Sequence, residues 1–370
     1  MNRLDLLAGV LEGFAIYGDC EGVEPFGSGH INATFMSRWN QAGSPLRYLH
    51  QRINERVFQR PDEVMENILR VTGHLAGKLE GLGDRSRRTL TVVPAKDGAS
   101  WVRDGEGGWW RSYLFIEGTK SLELVSSPAE AAFLGRSIGA FQKQLADLGE
   151  PRLHETIPDF HNMERRYSAF YAALERDSAG RAKAAGAEIA FLRENEERGG
   201  VLIRALREGR IPERICHNDA KMNNILIDRE TSEALCVSDL DTVMPGSSLF
   251  DVGDLIRTVT TTAEEDERDL SRLSFNPALF RALLEGYLSE AAAFLCPGEW
   301  DLLAESGRNI TQIMGLRFLT DHLEGDRYYH IARPGHNLDR CRNQIALIRS
   351  MDAQWEAAER IVRELRGGGA

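Results

Sequence analysis

The sequence predicts an α+β chain in two lobes, a small strand-rich N-terminal lobe and a larger helical C-terminal one. Three observations carry this. Over the first third, short apolar runs alternate with glycine-rich turns, the pattern of an antiparallel sheet. From Pro128 onward, apolar residues recur at steps of three and four, as on helices buried along one face. Inside that helical half lie two short apolar runs, "NILID" and "ALCVSDLD", separated by the polar turn "RETSE", which read as a hairpin. A length of 370 residues is enough for two packed lobes rather than one core.

The elements follow in order. "MNRLDLLAGVLEGFAIYGDC" has a short apolar stretch that Asp5 and Glu12 interrupt, so it reads as an amphipathic first helix and not as a signal peptide. "GVEPFGSGHINATFMSRW" reads as strand, glycine turn and strand, and "LRYLHQRI" as a third strand. Pro61 suits a first helical turn; Val64, Ile68, Val71, Leu75, Leu79 and Leu82 then share one face of a helix ended by glycines. "TLTVVPA", "SWVRD" and "WWRSYLFI" read as strands, the last two joined by "DGEGG". Residues 1–117 thus form a unit of about five strands with one inserted helix. A short hinge near Ile116–Leu122 leads into residues 118–366. There Leu134, Ile138, Phe141, Leu145 and Leu148 keep helical spacing, as do "FNPALFRALLEGYLSEAAAFL" and "LDRCRNQIALIRSMDAQWEAAERIVREL".

Composition narrows the function. A net charge of -11 argues against a general nucleic-acid binder and against attraction to anionic membranes. Any phosphate site must therefore be built locally, against the overall field. Cys20, Cys216, Cys236, Cys296 and Cys341 form an odd, scattered set without a CxxC pair, which suits a reducing compartment and no structural zinc. No uninterrupted apolar run approaches membrane-spanning length, and the expected location is cytoplasmic. The sequence leaves the oligomeric state open.

The chemistry concentrates in "ICHNDAKMNNILID" (215–228). Asp219 is followed five residues later by Asn224, then by the strand "ILID", and Asp239 lies twenty residues after Asp219, at the end of the second short strand. If the two strands pair, both aspartates and Asn224 meet at one end of the hairpin. Phosphoryl transfer needs such a set: one carboxylate to orient or deprotonate the acceptor hydroxyl, and a carboxylate with an amide oxygen to hold Mg2+ on the nucleotide phosphates. Hard oxygen donors suit magnesium, and the cluster has no cysteine or paired histidine.

"HNDAKMNN" followed by "SDLD" resembles the catalytic and metal motifs of the aminoglycoside/choline phosphotransferase superfamily, relatives of the protein kinases. The resemblance implies a two-lobed protein-kinase-like fold with ATP and Mg2+ between the lobes. It implies Asp219 as catalytic base, Asn224 and Asp239 as magnesium ligands, and Lys221 as a cation that helps neutralise the transferring phosphate. Asp241 matches a second acidic position common in these small-molecule kinases. More narrowly, "GSGHINATF", "QRINERVFQRPDEVMENI", "TIPDFHN", "SDLDTVMPG", "FDVGDLIR" and "LRFLTDHLEGDRYY", in that order over most of the chain, resemble N-acetylhexosamine 1-kinases. Those enzymes phosphorylate the anomeric hydroxyl of N-acetylglucosamine or N-acetylgalactosamine. By that resemblance Thr242, Arg317 and Tyr328 belong to the sugar pocket.

On the kinase reading, Gly27, Ser28, Gly29, His30 and Asn32 form a loop covering the nucleotide phosphates, where a bare sequence would read a hairpin turn. No GK[ST] follows, so it is not a Walker loop. The strand-three lysine of kinases is absent: "YLHQRI" offers Gln51 or Arg52, and Arg52 is the expected nucleotide-side residue, with Glu63 or Glu66 as its helical partner. His217 is expected to support the geometry of Asp219, Asn223 to turn the chain, and Asp254 to start or stabilise its helix and buttress the catalytic loop. Three other readings remain: an aminoglycoside, homoserine or choline kinase, a non-catalytic nucleotide-binding relative, and a carboxylate-metal hydrolase. The last does not explain the two-lobe layout.

Overall fold

The computed structural model describes residues 3–27 and 31–368. Helix α1 (Arg3–Gly13) precedes three antiparallel strands, β1 (Asp19–Pro25), β2 (Ala33–Gln41) and β3 (Ser44–Arg52). Helix α2 (Pro61–Lys78) follows, then β4 (Val92–Val93), β5 (Val102–Arg103) and β6 (Trp109–Leu114). The sheet is antiparallel, ordered β1-β2-β3-β6-β4 with β5 also on β6, so it has six strands where about five were expected. Leu7, Val10 and Leu11 of α1, with Phe14 just beyond it, pack against Trp39, Tyr48 and Trp110 of the sheet.

Helix α2 forms where its spacing predicts. Pro61 fits a first turn because its missing N–H would be unpaired there, and Asp62 and Glu63 complement the positive helix end. Val64, Met65, Ile68, Val71 and Leu75 are buried against Tyr113 and, across from the sheet, against Phe141, Leu145, Leu240 and Val243. The helix ends earlier than expected. Leu79 caps it, Gly81 turns the chain at φ +90°, and Leu82 is left exposed.

The expected hinge contains a strand too short to leave a pattern. β7 (Thr119–Lys120) pairs with β9 (Ile225–Asp228), which pairs with β10 (Ala234–Val237) as the polar turn suggested. A second small ladder joins β8 (Arg214–Cys216) to β11 (Met244–Gly246). Around these lie the longer helices α3 (Pro128–Leu145), α4 (Met163–Arg176), α5 (Ser248–Val259), α6 (Pro277–Ala291), α7 (Leu303–Glu324), α8 (His336–Ala353) and α9 (Trp355–Gly367). Among the described residues, no helix is long and apolar enough to cross a membrane.

α3 and α6 touch through glycines. A Cβ on Gly286 would lie 1.7 Å from the Ala132 carbonyl oxygen, and one on Gly135 would lie 2.1 Å from that of Leu283. Backbone, not a side-chain tip, is in the way, so the helices would have to separate. Gly286→Ala is therefore expected to destabilise by about 1–3 kcal/mol or more despite the better helix propensity of alanine. Thermal unfolding checks this; an unchanged or raised midpoint would show that the crossing can relax.

Candidate active site

Two short pairings build the site. β8 against β11 sets Cys216 opposite Met244 and so lays the 217–219 loop beside the 239–243 segment. β9 against β10 sets Ile225 opposite Val237, and the Ser238 N–H donates to the Asn224 carbonyl at 2.8 Å. Asp219, Asn224 and Asp239 thus lie together at one end of the hairpin, as their spacing requires.

The loop is held from beneath by Asp251, which is fully buried on α5. Its carboxylate accepts from the backbone N–H groups of His217 (2.9 Å) and Asn218 (2.7 Å) and from Gln142 Nε2 (2.9 Å). The buttressing expected of Asp254 belongs to Asp251. Asp254 sits mid-helix and pairs with Arg257 at 2.9 Å, because only one of the two carboxylates on this face lies under the loop. Asn218 has a left-handed backbone (φ +62°), and its Nδ2 reaches the carbonyls of Cys216, Thr242 and Met244, each at 3.1 Å. Such strained backbone persists where surrounding bonds over-determine it. Gly246 leaves room for this: a Cβ there would lie 2.5 Å from Asn218 Oδ1.

His217 takes the supporting position expected of it. The Asp219 N–H donates to its Nδ1 at 3.3 Å, so Nε2 carries the proton given to the Ser238 carbonyl at 2.9 Å. Asp219 Oδ2 lies 3.1 Å from Lys221 Nζ. Burial alone would raise the Asp219 pKa; Lys221 and Arg317 outweigh it and hold the carboxyl at about 2. Asp219 in turn raises the pKa of Lys221. Asp239 adopts a left-handed conformation (φ +60°) at the end of its strand and opens toward solvent. The packed protein around it, with Asp241 next, raises its pKa to about 6.

The donor set fits a hard cation. Asn224 donates Nδ2 to the Asp219 carbonyl (2.8 Å) and to Asp219 Oδ2 (3.3 Å), which leaves its Oδ1 as the atom that could face a cation. An oxygen-only pair of this kind suits Mg2+ better than zinc. Among the described residues, no cluster of three histidine, cysteine or acidic side chains offers another metal centre. Asn223 Oδ1 is buried without a hydrogen-bond partner.

Toward the nucleotide side, Gly27 turns the chain at φ +74°, while Ser28, Gly29 and His30 lie outside the described residues. Asn32 lies beside the site in an unforeseen way: its Nδ2 donates to Asp241 Oδ2 at 2.6 Å, and its Oδ1 accepts from the Asn54 N–H at 3.0 Å. Arg52 requires a correction. Strand alternation turns it to the other face, where it bonds Asp104 at 3.1 Å and lies 3.5 Å from Glu106. Neither helical acid partners it: Glu63 pairs with Arg60 and Glu66 with His154.

The cation that faces the cluster is Arg111 on β6. Register sets it opposite Gln51, whose Oε1 accepts from its Nε (3.0 Å) and Nη2 (2.8 Å), while Nη1 meets the Asp241 carboxylate. Burial would depress Arg111, but Asp241 and Asp239 hold its pKa above the usual arginine range. On α2 the contact with the metal segment is made by Asn67, through Nδ2 to the Val243 (3.1 Å) and His154 (2.8 Å) carbonyls.

Thr242 is buried, and its Oγ1 has no hydrogen-bond partner among the described residues. Arg317 on α7 donates to the Tyr328 hydroxyl at 3.4 Å and lies 4.7 Å over the Phe160 ring. It is close enough to Asp219 for each charge to shift the other. Arg317 and Tyr328 line one cavity, and Thr242 and Asp219 are not part of its wall.

The chain matches the APH phosphotransferase enzyme family over residues 22–294, well over half its length. The protein belongs to that family. It is a phosphotransferase, and its fold is the kinase-like one of that family's solved structures. An aminoglycoside phosphotransferase from Alicyclobacillus acidocaldarius superposes with a TM-score of 0.56 at 14% identity, covering 98% of this chain and 95% of that one. A spectinomycin phosphotransferase in complex with ADP and spectinomycin gives 0.56 at 12%, covering 92% and 94%. A choline kinase from Cryptosporidium parvum gives 0.55 at 13%, covering 90% of each chain. The carboxylate–amide cluster between β8 and β11 is thus set within a phosphotransferase chain, at the junction of its sheet and its helices.

Proposed function

We propose that this APH-family enzyme transfers the γ-phosphate of ATP to a sugar hydroxyl, the anomeric C1 hydroxyl of an N-acetylhexosamine such as N-acetylglucosamine or N-acetylgalactosamine. Residues 1–117 serve as the nucleotide lobe and 118–366 as the catalytic and acceptor lobe; the stitch of β7 to β9 supports a boundary there. Asp219 accepts the proton of the C1 hydroxyl as that oxygen attacks phosphorus in line. Lys221 stands beside it to offset charge on the transferring group. Asp239 and Asn224 Oδ1 would hold Mg2+, which would supply positive charge to offset that of the nucleotide phosphates. Positioning and electrostatics supply most of the rate, and no phospho-enzyme is needed.

The observation that carries the choice of acceptor is Arg317 beside Asp219, with Tyr328 and Phe160 around its guanidinium. A guanidinium there repels the ammonium groups of aminoglycosides and amino alcohols, while its fixed fork of donors suits sugar hydroxyl and carbonyl oxygens. A Mg-ATP coupled assay across sugars, amino sugars, aminoglycosides and amino alcohols tests the reading. N-acetylhexosamines are expected to turn over; turnover of an aminoglycoside with no sugar turned over would overturn it.

Metal binding adds a pH prediction. Asp239 is protonated below about pH 6 in the metal-free protein and must lose that proton to bind a cation. The apparent Mg2+ affinity should therefore weaken as pH falls through 6 and be nearly flat above 7. Titration of Mg2+ binding at pH 5, 6, 7 and 8 on the protein and on Asp239→Asn measures this, and a pH dependence that Asp239→Asn leaves unchanged would remove Asp239 from the metal shell.

A further inference from the structure

Two arginines line one cavity, with Asp219 acting on Arg317 through its charge but not paired with it. Arg166, Arg317, Tyr328 and Tyr329 line a cavity of about 160 Å³. Arg166 spends Nε and Nη2 on the Phe160 carbonyl, at 3.0 and 2.8 Å. Arg317 has the Tyr328 hydroxyl and the Met314 sulfur, both long contacts at 3.4 and 3.7 Å. Among the described residues, neither guanidinium forms an ion pair with a carboxylate.

The acids of the cavity wall are already engaged. Asp321 accepts from the backbone N–H groups of Arg327, Tyr328 and Tyr329 and from Asn337 Nδ2. Glu324 pairs with Arg176. The Tyr329 hydroxyl is buried and has no hydrogen-bond partner among the described residues. Burial and the charge of Arg317 push the Arg166 pKa down to about 10, so Arg166 is held in this cavity at a cost. Two like charges kept together in a half-buried cavity, next to an orphaned hydroxyl donor, form a site that an anion completes. The cavity is smaller than pockets for whole drug-sized ligands, so it takes a substituent while the ring lies toward Asp219.

We propose that this cavity is an anion subsite: the acceptor sugar carries a carboxylate or phosphate group, held by Arg166 and Arg317, while its C1 hydroxyl faces Asp219. This rests on the kinase reading of Asp219, but not on which sugar ring is bound. The shared ligand chemistry is an acidic oxygen group with two or more acceptors, matched to two guanidinium forks.

The test uses the full-length protein with Mg-ATP and a coupled assay for ADP. Three matched comparisons are made: N-acetylglucosamine against N-acetylmuramic acid, N-acetylglucosamine against its 6-phosphate, and glucose against glucuronic acid. In at least one, the acidic sugar is expected to exceed its neutral partner in kcat/KM by about 10- to 100-fold, the worth of hydrogen bonds to a charged group. The comparison that responds separates carboxylate from phosphate. Arg166→Met is expected to bring that ratio toward one by raising the KM for the acid, and Arg166→Lys to keep part of it. Because the ratio is taken on one preparation, partial misfolding of a variant leaves it valid. Neutral sugars turned over at least as well as every acid, or a ratio that Arg166→Met leaves unchanged, would overturn the anion subsite and leave the sugar-kinase reading standing. If neither these sugars nor N-acetylgalactosamine is phosphorylated, both readings fall.

Discussion

Asp219→Ala is expected to lower kcat by about 10²–10⁴-fold while ATP binding stays within a few-fold of normal. The side chain is half-buried and its polar partners among the described residues are Lys221 and Asn224, so its removal leaves the Asp251 anchor of the loop intact. Its pKa near 2 sharpens what the group does. A carboxylate that weakly basic does not pull the C1 proton off early; it orients the hydroxyl and receives the proton late, as a loose phosphoryl transition state permits. Asp219→Asn keeps an acceptor oxygen and discards the base, so it should retain more activity than the alanine variant if orientation dominates. Lys221 holds Asp219 ionised in the free enzyme, so kcat/KM is expected to show no acid limb from it above about pH 4. Rates and nucleotide affinity of both variants, by coupled assay and calorimetry, decide this. An alanine variant with near-normal turnover would remove Asp219 from the chemistry.

What the sequence disclosed depended on whether a residue's role follows from distance along the chain. Asp219, Asn224 and Asp239 were legible because one short hairpin joins them, and hairpin pairing brings fixed spacings together. The helix faces were legible because their period is local. Arg111 was not: it sits within a strand read as an apolar run, and its direction depends on facing Gln51, sixty residues away in sequence. The same alternation turned Arg52 away. Asp251 and Asp254 lie three apart on one helix face, so periodicity alone could not choose which one meets the loop. Asn67 did leave a signal. It falls three residues after Val64 and four before Val71, inside the apolar stripe, whereas Glu63 and Glu66 lie beside it. A polar residue in a buried stripe asks for partners, and Asn67 finds them in the metal segment.

The second large effect is expected at Arg111. Its side chain and that of Asp241 are 1% and 4% exposed, and Asn32 Nδ2 is the only other side-chain donor to Asp241 among the described residues. Arg111→Met strands a buried carboxylate, and breaking a buried pair from one side costs about 3–5 kcal/mol, more than the pair contributes when whole. Unfolding should therefore move down by several degrees. If the loss comes from the stranded charge, adding Asp241→Asn should restore much of it, because the carboxamide needs no counter-ion. The two single losses would then sum to far more than the double loss. Turnover separates packing from electrostatics: Arg111 also bears on Asp239, so the rescued double variant should still need more Mg-ATP for half-maximal rate. Additive losses in stability would mean that Arg111 and Asp241 act independently. A double variant with normal Mg-ATP dependence would mean that their pairing serves the fold alone.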